Sequence, residues 1–346
     1  MINPSDFGTA HIDWQTLGFD FVATPFRFRA HWSKGSWSDG ELCADSQFAI
    51  SESATALNYG QQAFEGLKAF SLQNGGVAVF RPEENAKRLQ RSADRLVMPQ
   101  VPTDLFLQAV KDVVLSNAAY LPPHGTGASF YLRPLLLGVG NNLGLHPAKE
   151  YLFTVFGCPV GAYFASSDQT VKLMTTDIHR AAPKGIGHVK AGGNYASTLM
   201  AKCRAQAAGF DEVLYLDAAT DSMIEEAGAA NFFAIKGNRF ITPQSASILP
   251  SVTRISLLEL AAHIGMEVEE RPIPITELDS FDEVGCCGTA VHVAGISVIQ
   301  TEHKRYQFDE YAGSVTQRLH ELLHAIQLDD ASAPALFSHW RYDIHK

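Results

Sequence analysis

The chain is predicted to fold as two α/β domains with mixed sheets, on three observations. Its 346 residues suit about two domains of roughly 150 residues each. Short β-rich runs alternate with stretches of helical spacing, without the even strand–helix rhythm of a regularly wound parallel sheet. Between Pro159 and Gln169 this periodicity lapses into small and polar residues such as Gly161, Ala162, Ser166, Ser167 and Asp168. A linker is therefore expected at 161–170, between a smaller N-terminal domain at 1–160 and a larger C-terminal domain at 171–346. The boundary between two such domains is the default place for a ligand.

In the first half, strands are expected at Phe48–Ile50, Gly66–Ser71 and Val77–Phe80, with Gly75-Gly76 turning the last two into a hairpin. Ala86, Leu89, Ala93 and Leu96 recur at helical spacing, so a helix is expected over 85–98, ended by Pro99 and Pro102. Thr103-Asp104 can cap a second helix whose apolar stripe is Phe106, Val110, Val113 and Ala118. Strands are expected next at Ala128–Arg133 and Tyr151–Gly157. In the second half, Val171–Thr175, Val213–Asp217, Asn231–Ile235 and Glu283–Thr289 read as strands. Asn194–Ala208 reads as a helix stopped by Gly209. Ser251–Ile264 reads as a helix capped by Ser251 or Thr253 and followed by Gly265. An amphipathic helix is expected at Phe308–Ile326.

Composition excludes several classes. With 46% apolar and 18% charged residues, the chain is an ordinary globular one. A net charge of −10 argues against a general nucleic-acid binder but leaves room for a small anion in a local pocket. No apolar run approaches the ~20 residues that span a bilayer. Met1–Asp20 has neither the basic start nor the apolar core of a signal peptide. The five cysteines, Cys43, Cys158, Cys203 and the adjacent Cys286 and Cys287, make neither a disulfide framework nor a metal-ligand spacing. A reduced, cytoplasmic protein without a metal is expected.

Four segments carry chemistry. In Gly187-His188-Val189-Lys190-Ala191-Gly192-Gly193-Asn194-Tyr195, a lysine stands beside a Gly-Gly turn before a helix. Alone it is weak, because most lysines are solvated and Gly-rich turns also bind phosphate without lysine chemistry. In Glu225-Glu226-Ala227-Gly228-Ala229-Ala230-Asn231, acids precede tiny residues and a strand, as if a flat ligand came close; a turn with a solvated Glu pair reads equally well. Ile248-Leu249-Pro250-Ser251-Val252-Thr253-Arg254 starts a helix with hydroxyls in its first turn, which suits an anion or an ordinary N-cap. Gly285-Cys286-Cys287-Gly288-Thr289-Ala290 is a second small-residue turn able to present N–H groups. Together they ask for one ligand with a carbonyl for the lysine, a flat ring, a basic atom for the carboxylate and a phosphate for the helix start. Pyridoxal 5'-phosphate has all four parts.

At these residues the sequence resembles the branched-chain amino acid aminotransferases, the fold-type IV pyridoxal-phosphate enzymes, and within them the longer-chain group that includes the animal enzymes. The likeness runs from about Phe21 to about Ile326. Beside the four segments it rests on Leu57-Asn58-Tyr59-Gly60-Gln61-Gln62-Ala63-Phe64-Glu65-Gly66-Leu67-Lys68-Ala69-Phe70, Arg88-Leu89-Gln90-Arg91-Ser92-Ala93 and Phe130-Tyr131-Leu132-Arg133-Pro134. The resemblance implies a two-domain enzyme with its active site at the domain interface. It implies reversible amino transfer between L-Leu, L-Ile or L-Val and 2-oxoglutarate. Lys190 is then the Schiff-base lysine and the catalytic proton carrier, Tyr195 bonds the cofactor's 3′-oxygen, and Glu226 faces the ring nitrogen. Glu225, one residue earlier, points to the other side of the strand. Arg88, Val252, Thr253 and Thr289 hold the phosphate. Tyr59, Phe64, Tyr131, Tyr163 and Ala290 line the substrate pocket, with Phe21 a further candidate. Arg133 serves the γ-carboxylate of glutamate; a structural ion pair is its plainer reading. Leu145, in the loop Gly138–Pro147, matches a position that reaches the partner subunit's pocket, which implies a homodimer.

Three departures stand out. The animal enzymes carry Cys-x-x-Cys directly after the Gly-Thr-Ala turn, where this chain has Val291-His292-Val293-Ala294. Ala229 stands where the family often has Thr. Residues 329–346 match poorly and inherit no role. The rival readings are a D-amino acid aminotransferase or an aminodeoxychorismate lyase on the same fold, which are shorter and lack the Tyr-x-Arg-Pro segment. A non-catalytic phosphate-binding module is a third.

Overall fold

The structure is a computed structural model that describes residues 6–163, 170–308, 311 and 313–344; most of the expected linker, 164–169, lies outside them. Its strands are β1 (Arg27–Ser33), β2 (Ser36–Trp37), β3 (Glu41–Cys43), β4 (Gln62–Phe64), β5 (Leu67–Ser71), β6 (Val77–Phe80), β7 (Ser129–Gly138), β8 (Tyr151–Val160), β9 (Thr170–Thr175), β10 (Glu212–Leu216), β11 (Ile224–Ala227), β12 (Ala230–Lys236), β13 (Arg239–Pro243), β14 (Glu267–Arg271), β15 (Glu283–Gly288), β16 (His292–Gln300), β17 (Arg305–Gln307) and β18 (Arg341–Asp343). Its helices are α1 (Thr55–Asn58), α2 (Pro82–Arg95), α3 (Thr103–Ser116), α4 (Gly192–Ala196), α5 (Leu199–Ala207), α6 (Val252–His263) and α7 (Val315–Leu328).

These elements gather into two compact units. One takes in Met1–Tyr163, Val189–Gly192 and Ala325–Lys346, the other Phe164–His188 and Gly193–His324. The division departs from two continuous domains at two places. The four residues Val189–Gly192, Lys190 among them, belong to the first unit, and so does the C-terminal stretch from Ala325, in the last turn of α7.

In the first unit the sheet runs β18-β6-β5-β7-β8-β1-β2, with β3 on β1 and β4 on β7. Its pairings are all antiparallel among the described residues, so the mixed pattern expected here is confined to the other unit. Helices α2 and α3 cover one face and bury Ala86, Leu89, Ala93, Phe106, Val110 and Val113 against Phe28, Leu67, Val79 and Phe153. The second unit's sheet is mixed: β9 runs parallel to β10 and β16, and β13 to β14, while the other pairs are antiparallel. Because β11 pairs with both β10 and β12, strands β11, β10, β9, β16, β15 and β12 close into a ring. Closure removes the open edges of those strands, and Leu173, Leu214, Phe232, Ile241 and Ile296 are buried together in this unit's core.

Local structure departs from the sequence expectations where side chains choose other partners. Phe48–Ile50 forms no strand; the Phe48 ring lies under the Arg29 guanidinium, 5.4 Å away. The strand β1 went unforeseen, although Arg27-Phe28-Arg29-Ala30-His31-Trp32 alternates with the period of a half-buried strand. The helix expected over 85–98 starts earlier, at Pro82, whose fixed φ and missing N–H suit a first helical position. Thr103 is the first residue of α3, and Pro102, not a hydroxyl, stands at its cap. The helix expected at Asn194–Ala208 breaks into α4 and α5. Ser197 and Thr198 bond back to the carbonyls of Asn194 (3.1 Å) and Tyr195 (2.7 Å), competing with the helix ladder. Of the two expected caps of α6, Ser251 serves, accepting from Arg254 N at 3.3 Å. The helix expected from Phe308 begins at Val315, where the Glu283 carboxylate accepts from Val315 N and Thr316 N at 2.8 and 2.9 Å. No helix among the described residues is long and apolar enough to cross a membrane.

Candidate active site

Each unit carries its own set of chemically apt side chains. In the first, the Lys190 backbone is bound on both sides. Phe64 N donates to its carbonyl at 3.0 Å, and its own N–H donates to Ser92 Oγ on α2 at 3.2 Å. The side chain then passes over the Phe64 ring, with Nζ 4.8 Å from the centroid. Burial lowers the ammonium to a pKa of about 8; the positive charges of Arg88 and Arg133 push the same way, against Glu65 and Tyr131. A lysine held like this has a far larger neutral fraction near neutral pH than a solvated one and can act as nucleophile or base.

Arg88 lies on the buried face of α2. Its Nε and Nη2 donate to the two oxygens of Glu65 at 2.8 and 2.7 Å, and Asn85 Nδ2 adds a third donor to the same carboxylate at 2.8 Å. Glu65 is fully buried and follows Phe64, so it fixes an arginine beside the lysine while neutralising part of its charge. Sequence reasoning missed Glu65 and Asn85, because nothing in their local pattern distinguishes a buried acid from a solvated one.

Arg133, on β7, reaches back along its own strand: Nη2 donates to Tyr131 Oη at 3.1 Å. Its guanidinium carbon sits 5.0 Å from the Phe64 ring and 5.3 Å from the Tyr131 ring. It makes no ion pair among the described residues, and its buried Nε has no hydrogen-bond partner. The structural ion pair that was its plainer reading is therefore absent there. Tyr131 Oη lies where a Cβ on Gly66 would fall, so only glycine leaves room for it. Phe19, which the sequence did not single out, packs edge-on against both Tyr131 (5.3 Å) and Tyr163 (5.1 Å). Phe21 is exposed and meets Phe156 edge-on instead. Tyr59 Oη donates to Leu143 O at 3.2 Å, which ties α1's end to the loop that also exposes Leu145.

In the second unit, Glu226 on β11 is buried. Leu249 N donates to its Oε1 at 2.7 Å and Asn231 Nδ2 to the same oxygen at 3.3 Å. Arg180 Nε lies 3.0 Å from Oε2, and the arginine is anchored on the Gly187 and Ser247 carbonyls. Arg180 also escaped the sequence reading, since it lies outside the glycine-rich segment that drew attention to Lys190. Glu225 has a separate partner, Ser245 Oγ at 2.8 Å, and burial raises its carboxyl. The register Glu226↔Asn231↔Cys287 runs across β11, β12 and β15, so the turn Thr289–Val291 follows directly from the row that holds Glu226. Leu249 stands three residues before α6, which carries Val252 and Thr253 in its first turn. Thus this unit assembles a buried carboxylate, a helix N-terminus and a small-residue turn carrying Thr289 and Ala290. Tyr195, on α4, is half-buried.

Residues 62–299 match the family model for amino-transferase class IV. A branched-chain-amino-acid aminotransferase of Haemophilus influenzae is 50% identical over 332 residues, 93% of this chain and 97% of the relative. The chain belongs to the class IV aminotransferase family, among the branched-chain-amino-acid aminotransferases. A Helicobacter pylori member of that family is 49% identical over 338 residues, covering 96% of this chain and 98% of the relative. The branched-chain aminotransferase structure from Escherichia coli aligns with a TM-score of 0.78 at 26% identity, over 93% of this chain and 100% of that one. A T.th. branched-chain aminotransferase solved with pyridoxamine 5'-phosphate aligns at 0.77 and 25% identity, over 94% and 100%. The fold is thus the one carried by class IV aminotransferases, with an antiparallel sheet unit and a ring-closed mixed sheet unit.

Proposed function

We propose that the chain transfers the amino group reversibly between L-Leu, L-Ile or L-Val and 2-oxoglutarate, with Lys190 as the residue that carries pyridoxal phosphate. The observation that carries this reading is the desolvated Lys190, lowered to about 8 and flanked by Arg88 and Arg133. The donors suit the cofactor's parts: a nucleophilic amine and a buried cation in one unit, a buried carboxylate and a helix start for a phosphate in the other. Bound pyridoxal phosphate supplies an aldehyde that takes the amino group and a ring that withdraws electrons from the substrate α-carbon.

The chain's own residues do the rest. Unprotonated Lys190 Nζ takes the proton from the substrate α-carbon and returns it on the other side of the transfer. Glu226, paired with Arg180 and bonded by the Leu249 N–H, would face a ring nitrogen and hold a proton there. Arg88, Val252, Thr253 and Thr289 bind the phosphate, and Tyr195 the ring oxygen. Tyr59, Phe64, Tyr131, Tyr163 and Ala290 give the apolar side chain its surface. Arg133, with no carboxylate of its own, takes the γ-carboxylate of glutamate beside Tyr131 Oη. The same surface thus serves two substrates, one apolar and one charged. The enzyme works as a cytoplasmic homodimer.

The test is a visible spectrum of protein reconstituted with pyridoxal phosphate, before and after adding L-leucine, with the oxo acid measured in parallel. The expected result is a bound chromophore that changes on adding leucine and is restored by 2-oxoglutarate, with release of the branched oxo acid. A protein that stays colourless, or that reacts with D-alanine and not with leucine, overturns the reading.

A further inference from the structure

In the first unit, the loop between β7 and β8 is fastened at its base by a side chain that the proposed reaction does not use. Gln61 lies between α1 and β4. Its amide makes five hydrogen bonds to four segments of the unit. Oε1 accepts from Thr55 Oγ1 on α1 at 2.8 Å and from Ala148 N, near the loop's end, at 3.1 Å. Nε2 donates to Leu96 O and Val97 O, just past α2, at 3.0 and 3.4 Å, and to Tyr151 Oη at the start of β8 at 3.5 Å.

The backbone of the same residue takes the loop's other end, for Gly138 N donates to Gln61 O at 3.2 Å. One residue thus holds the loop where it leaves β7 and where it returns toward β8. Beside it, Val139 N donates to Glu150 O at 3.0 Å and closes the base. A side-chain amide suits this place because it offers a carbonyl and an NH₂ group together. A carboxylate has no hydrogen for the two backbone carbonyls, and an aliphatic chain has nothing for either side. The packing leaves no slack. A Cβ on Gly138 would fall on Thr55 Oγ1 and come within 3.0 Å of Gln61 Oε1 and Ala148 Cβ.

The tip of the loop is held as well. Tyr59 Oη donates to Leu143 O at 3.2 Å, and Asn142 N donates to Ser53 Oγ at 3.3 Å. Asn142 Nδ2 folds the tip on itself through Gly144 O at 2.9 Å and His146 O at 3.3 Å. The anchors Ser53, Tyr59 and Gln61 all come from one short stretch of chain. Yet Leu143 and Leu145 are turned to solvent, beside the exposed Tyr59 and near the exposed Val97 whose carbonyl Gln61 binds. Apolar side chains gathered on a fastened loop mark a surface that another molecule covers. In a two-fold dimer such a patch meets its own counterpart. The leucines that stand beside Tyr59 in one copy then come against the patch that holds Tyr59 in the other.

We propose that Gln61 is a positioning residue that clasps the base of the loop 139–147, so that Leu143 and Leu145 complete the substrate pocket of a second copy of the chain. The inference rests on the homodimer and on the pocket role of Tyr59 proposed above. It gives Gln61 an effect that is felt in the neighbouring subunit and not in its own. Loss of the amide frees both ends of the loop at once, the Ala148 end directly and the Gly138 end through the Thr55 hydroxyl packed against it. The leucines then no longer reach the other copy in one fixed place.

Mixed dimers of the full-length holoenzyme test this, each pair isolated through two different affinity tags. Gln61→Met keeps the length of the side chain and removes its hydrogen bonds. Its homodimer should lose about tenfold in kcat/KM for leucine, the worth of one or two neutral hydrogen bonds. In a first pair, a Gln61→Met subunit is joined to a Lys190→Ala subunit. Only the Gln61→Met subunit has the lysine, and its pocket receives the intact loop. This pair should recover about half the wild-type kcat/KM per dimer, one of two symmetric sites being live. In a second pair, one subunit carries both substitutions and the other is wild type. The one live site then receives the unclasped loop, and turnover should stay about tenfold below that of the first pair. The opposite order overturns the proposal, because a defect that stays with the subunit carrying Gln61→Met is one of local folding. Equal turnover in the two pairs overturns it too. If Gln61→Met does not fold, Gln61→Glu replaces it in both pairs with the same order expected, since it sets a carboxylate oxygen against the Leu96 and Val97 carbonyls. A wild type that sediments as a monomer removes the homodimer and the proposal together. A dimer whose defect stays in the altered subunit removes the proposal alone.

Discussion

The most consequential residue is Lys190, and its environment sets a pH dependence. Its amine is lowered to about 8 by burial first and by Arg88 and Arg133 after it, against about 10.4 for a free lysine. Only the neutral amine attacks an aldehyde, so attachment of pyridoxal phosphate to the apo-protein should accelerate with rising pH and level off above a midpoint of about 8. Stopped-flow absorbance across that range checks it; a midpoint near that of free lysine shows the amine to be solvated. The role proposed for Arg133 in specificity makes a second prediction. Arg133→Met should lower kcat/KM for glutamate about 10- to 100-fold, the worth of a charged hydrogen bond, and that for leucine about threefold or less. Steady-state kinetics with both donors decide, and equal losses make Arg133 a packing residue. Lys190, Arg133 and Glu226 were legible in the sequence as residue types in distinctive local settings. Glu65, Asn85 and Arg180 were not, because a charge that exists to pair another buried charge has no local pattern of its own. It becomes visible only when distant segments meet, as Arg180 meets Glu226 at 3.0 Å across 46 residues of chain (226 − 180).

Among the elements, α6 has the clearest cap. Ser251 Oγ accepts from Arg254 N, satisfying one of the unpaired N–H groups of the first turn and leaving the others for an anion. Ser251→Ala should cost about 1 kcal/mol in urea unfolding and weaken inorganic phosphate binding little, since the cap aligns the helix and does not itself face the ligand. A loss of phosphate binding without a loss of stability would assign the hydroxyl to the ligand instead. Helices and strands with a strong period were readable within a few residues, as for α3 and β6. Those decided by a partner were not. The helix α7 starts where Glu283 meets it, α4 and α5 separate where two hydroxyls bond backward, and Phe48 lies under Arg29 in place of pairing in a sheet.

For the whole molecule, the loop after β7 leaves Leu143 and Leu145 89% and 86% exposed. Two bare leucines so close together, tied down through Tyr59, form a surface that a second copy of the chain would cover. Sedimentation equilibrium should find a dimer, and Leu145→Asp should shift it to monomer with loss of turnover; a monomeric, fully active wild type excludes the homodimer. The sequence alone settled the class of the molecule and the order of its main elements, because these depend on residue types and spacings along the chain. Tertiary structure alone decided which charges stand together, that the first sheet is wholly antiparallel while the second closes on itself, and that the lysine segment packs with the N-terminal strands. The physical reason is that burial and pairing are properties of residues far apart in sequence. Lys190 is an ordinary lysine until Phe64, Arg88 and Arg133 take its water away.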